Sequence, residues 1–221
     1  MLSSIRSSFF QECINRTITA IALLCIFFFS FFYLPPYVIT IYILASLFYI
    51  VCVEWSKLVP VNSVWFWFLT PCYLIFPFMI LIALNCSDAY RILLVHLIIL
   101  VASYDTGAYI IGSLIGRHML APNISPQKSW EGCAGGYLAA CLAQYGLYWF
   151  AGHQVGISFF GITALICLVA QVGDLFESYL KRRANVRHSG TLLSEHGGLM
   201  DRFDSLLTTG LLFWVLRSYL I

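Results

Sequence analysis

The sequence predicts an all-α, polytopic integral membrane protein of about seven transmembrane helices, and three observations carry that expectation. Hydrophobic residues make up 61% of the 221 and charged residues only 10%, against about 25% charged in a typical soluble domain. Mean hydropathy is +0.86. The apolar runs are long enough to cross a bilayer as helices, which takes about 20 residues, and they lack the alternation of barrel strands of about ten residues. The net charge of +2 is too small to argue for a nucleic-acid partner, and none is expected.

Seven spans are predicted, at about 17–34, 37–53, 64–84, 92–112, 133–151, 155–180 and 205–221. The first carries no small-residue cleavage site after it and is expected to be retained rather than removed as a signal. Pro35-Pro36 separates it from the second, because proline lacks the N–H that a helix interior needs. Pro71 and Pro77 should kink the third, and Gly152-His153 should mark a tight turn between the fifth and sixth. The eight cysteines form no C-x-x-C pair, and most lie inside apolar runs, where they read as small hydrophobes rather than disulfides or zinc ligands. Residues 1–90 contribute apolar spans; residues 91–221 hold the polar motifs.

Orientation follows from the Lys and Arg distribution. With the N-terminus in the cytoplasm, Arg6, Arg16, Lys57, Arg117, Lys128, Lys181, Arg182, Arg183, Arg187 and Arg202 fall inside, and only Arg91 and Arg217 fall outside. The acids of the polar segments, Asp105, Glu131, Asp174, Glu177, Glu195, Asp201 and Asp204, map to the same side.

Four segments carry the candidate chemistry. In Asp105-Thr-Gly-Ala-Tyr109, Asp105 and Tyr109 share a helix face, and Gly107 and Ala108 permit close helix approach. In Ser125-Pro-Gln-Lys-Ser-Trp-Glu-Gly132, Ser125 is expected to cap a helix with Pro126 in its first turn. That would place Lys128 near free backbone N–H groups, where phosphate binds. In the third, Asp174, Glu177, Ser178, Lys181 and Arg182 recur at helical spacing and share one face. In the fourth, His196-Gly197-Gly198 permits a tight turn with N–H groups open to anions, and Asp201, Asp204 and Ser205 follow on one helical turn. Acids interleaved with cations at a membrane face fit a Mg2+–phosphate site, since Mg2+ prefers oxygen ligands and phosphate bridging.

These segments resemble the phosphatidate cytidylyltransferase (CDP-diacylglycerol synthase) family. Its pattern of Ser-x-x-Lys-Arg, then Lys-Asp after four residues, then His-Gly-Gly-x-x-Asp-Arg-x-Asp, is met by Ser178, Lys181, Arg182, His196, Gly197, Gly198, Asp201, Arg202 and Asp204. The resemblance covers about 100 to 209. Two positions depart from it: the family's Lys-Asp is Arg187-His188, and the Pro-Gly before His-Gly-Gly is Ser194-Glu195. The resemblance implies that residues 91–221 form a cytidylyltransferase-like membrane domain using CTP and phosphatidate, as a homodimer in the inner or plasma membrane with a cytoplasmic active site.

On this reading a phosphate oxygen of the lipid attacks the α-phosphorus of CTP. A phosphate monoester is mostly ionised at pH 7, so no strong base is needed and the carboxylates read as metal ligands. Asp174 and Asp201 are the expected Mg2+ ligands, with a second metal or K+ left open. Asp174, Lys181, Asp201, Arg202 and Asp204 form the catalytic set. Asp105, Ser125, Lys128, Glu177, Ser178, Arg182, Arg187, His196, Gly197 and Gly198 would contact or support substrate. Two other readings stay open on the sequence: a CTP-dependent polyprenol or lipid kinase, in which His188 could act as a base, and a degenerate non-catalytic paralogue.

Overall fold

The computed structural model describes residues 25–190, 192 and 197–220. Residues 25–33 are helical, and the chain breaks at Leu34-Pro35 before the next helix begins at Pro36. Six longer helices follow: α1 (Pro36–Leu58), α2 (Val64–Cys86), α3 (Ile92–Ile115), α4 (Trp130–Phe150), α5 (Ser158–Arg183) and α6 (Met200–Leu216). Gly152, at φ 75°, makes the expected turn between α4 and α5, a backbone region that glycine enters without steric cost.

Among the described residues, α1, α2, α3 and α5 are long and apolar enough to cross a membrane, and the expected count of seven is not reached. The first predicted span, 17–34, is described from Cys25 onward. α6 has 17 residues, about 25 Å of helix at 1.5 Å per residue against a hydrocarbon core of about 30 Å. In α4 the apolar content is diluted by small residues used in packing. A Cβ at Gly136 would lie 2.7 Å from the Tyr104 carbonyl oxygen, and one at Gly132 would lie 2.8 Å from that of Ala108. The backbones of α3 and α4 therefore meet through glycine, as close helix contacts in membranes do.

Two helices change pitch in mid-course. α1 is π-helical over Ile50–Trp55, and α2 over Thr70–Ile75. The second change occurs where Pro71 removes an amide donor, and Thr70 Oγ1 donates to the Phe66 carbonyl at 2.6 Å. The distortion expected at Pro71 thus takes the form of a widened turn. Trp55 ties the two segments together: its Nε1 donates to Thr70 Oγ1 at 2.7 Å, and its ring stacks on Tyr73 at 6.0 Å.

The core is continuous from Phe31 to Phe213 and draws on both halves of the chain, with Trp55, Phe78, Leu97, Ile166, Met200 and Phe213 almost fully buried. Large apolar side chains such as Trp67, Leu142 and Phe150 point outward. That is the inverse of a soluble surface and suits a lipid environment. The described cysteines are free thiols, with Cys141 and Cys167 buried.

A short antiparallel hairpin of β1 (Met119–Ala121) and β2 (Ser125–Ser129), which the sequence does not predict, lies ahead of α4. Ser125 is therefore not a helix cap. Proline disfavours the helical region for the residue before it, and Ser125 is extended and paired with Ala121. The cap is Ser129, whose Oγ accepts from the Gly132 amide at 3.1 Å. Most polar side chains gather at the bundle end that holds this hairpin. At the other end, Arg91 donates to the Phe31 carbonyl at 2.8 Å, and Arg217 lies over the Trp214 ring at 4.4 Å.

Candidate active site

α5 brings Asp174, Glu177, Ser178 and Lys181 along one face to the polar end of the bundle, and α6 places Asp204 opposite. One carboxylate oxygen from each of Asp174, Glu177 and Asp204 lies within 4.8 Å of the others. Glu177 is fully buried, and its Oε2 forms an ion pair with Lys181 Nζ at 2.5 Å. A carboxylate has about four lone-pair sites, so Glu177 can meet Lys181 and still offer oxygen to an ion. Three converging carboxylates are an all-oxygen donor set, suited to a hard divalent cation such as Mg2+.

Cations line the same space. Lys128 reaches from β2 to form an ion pair with Asp174 Oδ2, and Ser178 Oγ approaches Asp174 Oδ1 at 3.4 Å. Lys128 therefore works from a strand, not from the helix start expected for it. Asp105, on α3, lies within electrostatic reach of Asp174, Lys128 and Arg202. The structure thus brings Asp105, Lys128, Asp174, Glu177, Ser178, Lys181, Arg202 and Asp204 to one place.

Asp201, expected as a metal ligand, is surrounded by protein donors. Its Oδ1 accepts from Lys181 Nζ at 2.7 Å. Its Oδ2 accepts from the Gly198 amide at 2.8 Å and the Ser189 amide at 3.2 Å, with His188 Nδ1 at 3.9 Å. Both oxygens are engaged, and Asp201 stands outside the three-carboxylate cluster. Glu177 and Asp204 accompany Asp174 there instead. The glycine turn is also committed to protein groups. Gly197 takes φ 86°, and the Gly198 amide points at Asp201 rather than at open space.

Other expected residues lie at the margin. Arg182 Nε donates to the Ile124 carbonyl at 3.1 Å, bracing the hairpin turn. Arg187 and His188 are exposed on the loop after α5, and Ser125 lies in the hairpin. His196 lies outside the described residues. Glu131 fastens the hairpin to α4, accepting from His118 Nδ1 at 2.6 Å and from the Arg117 and His118 amides at 3.2 Å each. The His118 imidazole, with these backbone N–H groups, holds the Glu131 carboxyl down to about 2.

Three residues at the site escaped the motif reading. Glu54, in the π-helical part of α1, is completely buried. It accepts from Ser189 Oγ at 3.0 Å and from the Leu199 and Met200 amides at 2.8 Å each. Ser189, almost fully buried, links it to Asp201. Tyr73, in the π-helical part of α2, has a buried hydroxyl with no hydrogen-bond partner among the described residues. It lies within electrostatic reach of Asp204, Glu177 and Asp174. Glu54 carried a usable signal, since an acid inside an apolar run is costly and marks function by default. Nothing in sequence marks Tyr73 or Ser189.

A profile described as the cytidylyltransferase family matches residues 15–220. The phosphatidate cytidylyltransferase of Rickettsia prowazekii (strain Madrid E) is 30% identical over 225 residues, covering 95% of this chain and 94% of that one. That of Rickettsia conorii (strain ATCC VR-613 / Malish 7) is 34% identical over 151 residues, 65% of this chain and 66% of its own. That of Staphylococcus aureus (strain COL) is 40% identical over 104 residues, 47% of this chain and 40% of its own. The match thus spans under two thirds of the last two relatives and nearly all of the first. A family profile that runs from the first span to the end of α6 takes in every acid and cation of the site described above, and on that extent the chain belongs to the cytidylyltransferase family.

Proposed function

We propose that this chain transfers CMP from CTP to phosphatidate, giving CDP-diacylglycerol and pyrophosphate. The observation that carries the reading is the convergence of Asp174, Glu177 and Asp204 beside Lys128 and Lys181 at the polar end of a membrane bundle. Relatives matched over most of the chain are phosphatidate cytidylyltransferases.

Asp174, Glu177 and Asp204 would hold Mg2+, replacing the two-ligand set of Asp174 and Asp201; a second ion, Mg2+ or K+, would find further oxygens at Asp105. Bound Mg2+ would neutralise phosphate charge as the leaving group departs. Lys128 would exchange its Asp174 contact for a phosphate oxygen of CTP. Arg202 would serve the same triphosphate, and Lys181 would keep Asp201 and Glu177 in register. The reaction forms a bond between a phosphatidate phosphate oxygen and the α-phosphorus of CTP, and breaks the bond from that phosphorus to the bridging oxygen of pyrophosphate. The attacking oxygen is already ionised at pH 7, so no side chain needs to remove a proton. What these residues supply is alignment and charge.

The outward-facing apolar surface, the Lys and Arg distribution and bacterial relatives support a site on the cytoplasmic face of the inner or plasma membrane. A homodimer is the assembly expected from the family. The deciding assay supplies CTP labelled in the α- or γ-phosphate, with phosphatidate in detergent, with and without Mg2+. Label from the α-position should enter lipid only when Mg2+ is present. Entry of γ-label would make the chain a kinase, and entry of neither would remove the catalytic reading.

A further inference from the structure

We propose that Glu54 is a positioning residue for the active site, through which the amino-terminal spans set the backbone of the loop between α5 and α6. The inference rests on the cytidylyltransferase reading for its consequence, not for its geometry. A carboxylate that is 0% exposed accepts three hydrogen bonds from both limbs of that loop: Ser189 Oγ on one, and the Leu199 and Met200 amides on the other. The Met200 and Leu199 amides are first-turn donors of α6, which lack partners within the helix. Glu54 therefore does for α6 what a capping residue does, but from another helix. The loop glycines fit this contact: a Cβ at Gly198 would stand 2.6 Å from both Glu54 oxygens.

Ser189 carries the constraint onward, since its amide donates to Asp201, whose Oδ1 meets Lys181, whose Nζ meets Glu177 in the carboxylate cluster. The π-helical turn over Ile50–Trp55 presents Glu54 inward, and Trp55 anchors that turn to α2 through Thr70. Residues that widen a helix in this way recur at functional sites.

The test uses the full chain in detergent, as wild type, Glu54→Gln and Ser189→Ala. Glutamine keeps the volume but offers one acceptor oxygen in place of two. Ser189→Ala removes one bond while leaving Glu54 in place. Amide exchange of the peptide holding Leu199 and Met200 reads the clamp directly. CTP kinetics read its consequence. In Glu54→Gln, exchange should quicken about tenfold and KM for CTP should rise about tenfold, as expected for loss of a hydrogen bond to a charged group; Ser189→Ala should move both the same way by less. Unchanged exchange in the two variants would overturn the clamp. A fall in folded fraction with KM unchanged would overturn the positioning role and leave only a structural one. If Glu54→Gln does not fold, Ser189→Ala decides by the same two readouts. Failure of the wild type to transfer CMP would instead strike the cytidylyltransferase reading, and the exchange measurement would still judge the clamp.

Discussion

Lys181 Nζ lies 2.7 Å from Asp201 Oδ1, so one ammonium fastens the end of α5 to the first turn of α6. The same nitrogen lies 2.5 Å from Glu177 Oε2, which places Lys181 between the loop and the carboxylate cluster. Its side chain is only 12% exposed, and removing one partner of a buried pair costs about 3–5 kcal/mol. Lys181→Met should therefore lower the melting temperature in detergent and abolish turnover, with Lys181→Arg recovering the first more than the second. A Lys181→Met protein as stable as wild type would show that this contact does not hold α5 to α6.

The metal assignment separates Asp201 from its neighbours. Asp174→Asn, Glu177→Gln and Asp204→Asn should each reduce turnover by at least about a hundredfold, the scale of losing one electrostatic contact in a catalytic site. Each should also shift Mg2+ activation to higher concentration. Asp201→Asn should loosen the loop and lower activity while leaving the Mg2+ dependence in place. An equal shift in Asp201→Asn would return Asp201 to the metal site.

His188 is half-exposed, with Nδ1 3.9 Å from Asp201 Oδ2. A contact at that distance and exposure contributes up to about 1 kcal/mol, or about fivefold in rate. His188→Ala should therefore lower CMP transfer about two- to fivefold without change in Mg2+ dependence. Complete loss in a folded His188→Ala protein would give the imidazole a direct part in the chemistry.

Topology is testable through introduced cysteines in a background lacking the native ones. Residues 117 and 187 should resist an impermeant thiol reagent added outside intact cells, and residue 153 should label. Ready labelling at 187 would reverse the orientation and move the active site to the opposite face.

The Glu131 clasp gives a pH dependence of known sign. Its carboxyl is held down to about 2 by His118 and the Arg117 and His118 amides, below the value of about 4.3 for an unfolded glutamate. A depressed carboxyl contributes stability above the unfolded value and loses it as pH falls through the folded one. Protection of the Arg117 and His118 amides, corrected for intrinsic exchange, should therefore hold from pH 7 to pH 5 and fade only toward about 2. Loss of protection already at pH 5 would mean that the clasp does not persist in solution.

The helical membrane class was legible in the sequence because it is a matter of composition along the chain. Every long apolar run became a helix over its described residues, and Pro35-Pro36 and Gly152 broke the chain where proline and glycine chemistry requires. The i, i+3, i+4, i+7 spacing likewise put Asp174, Glu177, Ser178 and Lys181 on one face of α5 before any partner was known. Spacing along one helix, however, says nothing of what approaches from another. Only the tertiary structure paired Asp201 with Lys181, set Asp204 rather than Asp201 beside Asp174, and carried Lys128 to Asp174 on a strand. It alone brought Glu54 from α1 to the Leu199 and Met200 amides, across 145 and 146 residues of sequence. The physical reason is the same in each case: a buried charge must find a partner, and which partner is within reach depends on how the helices pack, not on their order in the chain.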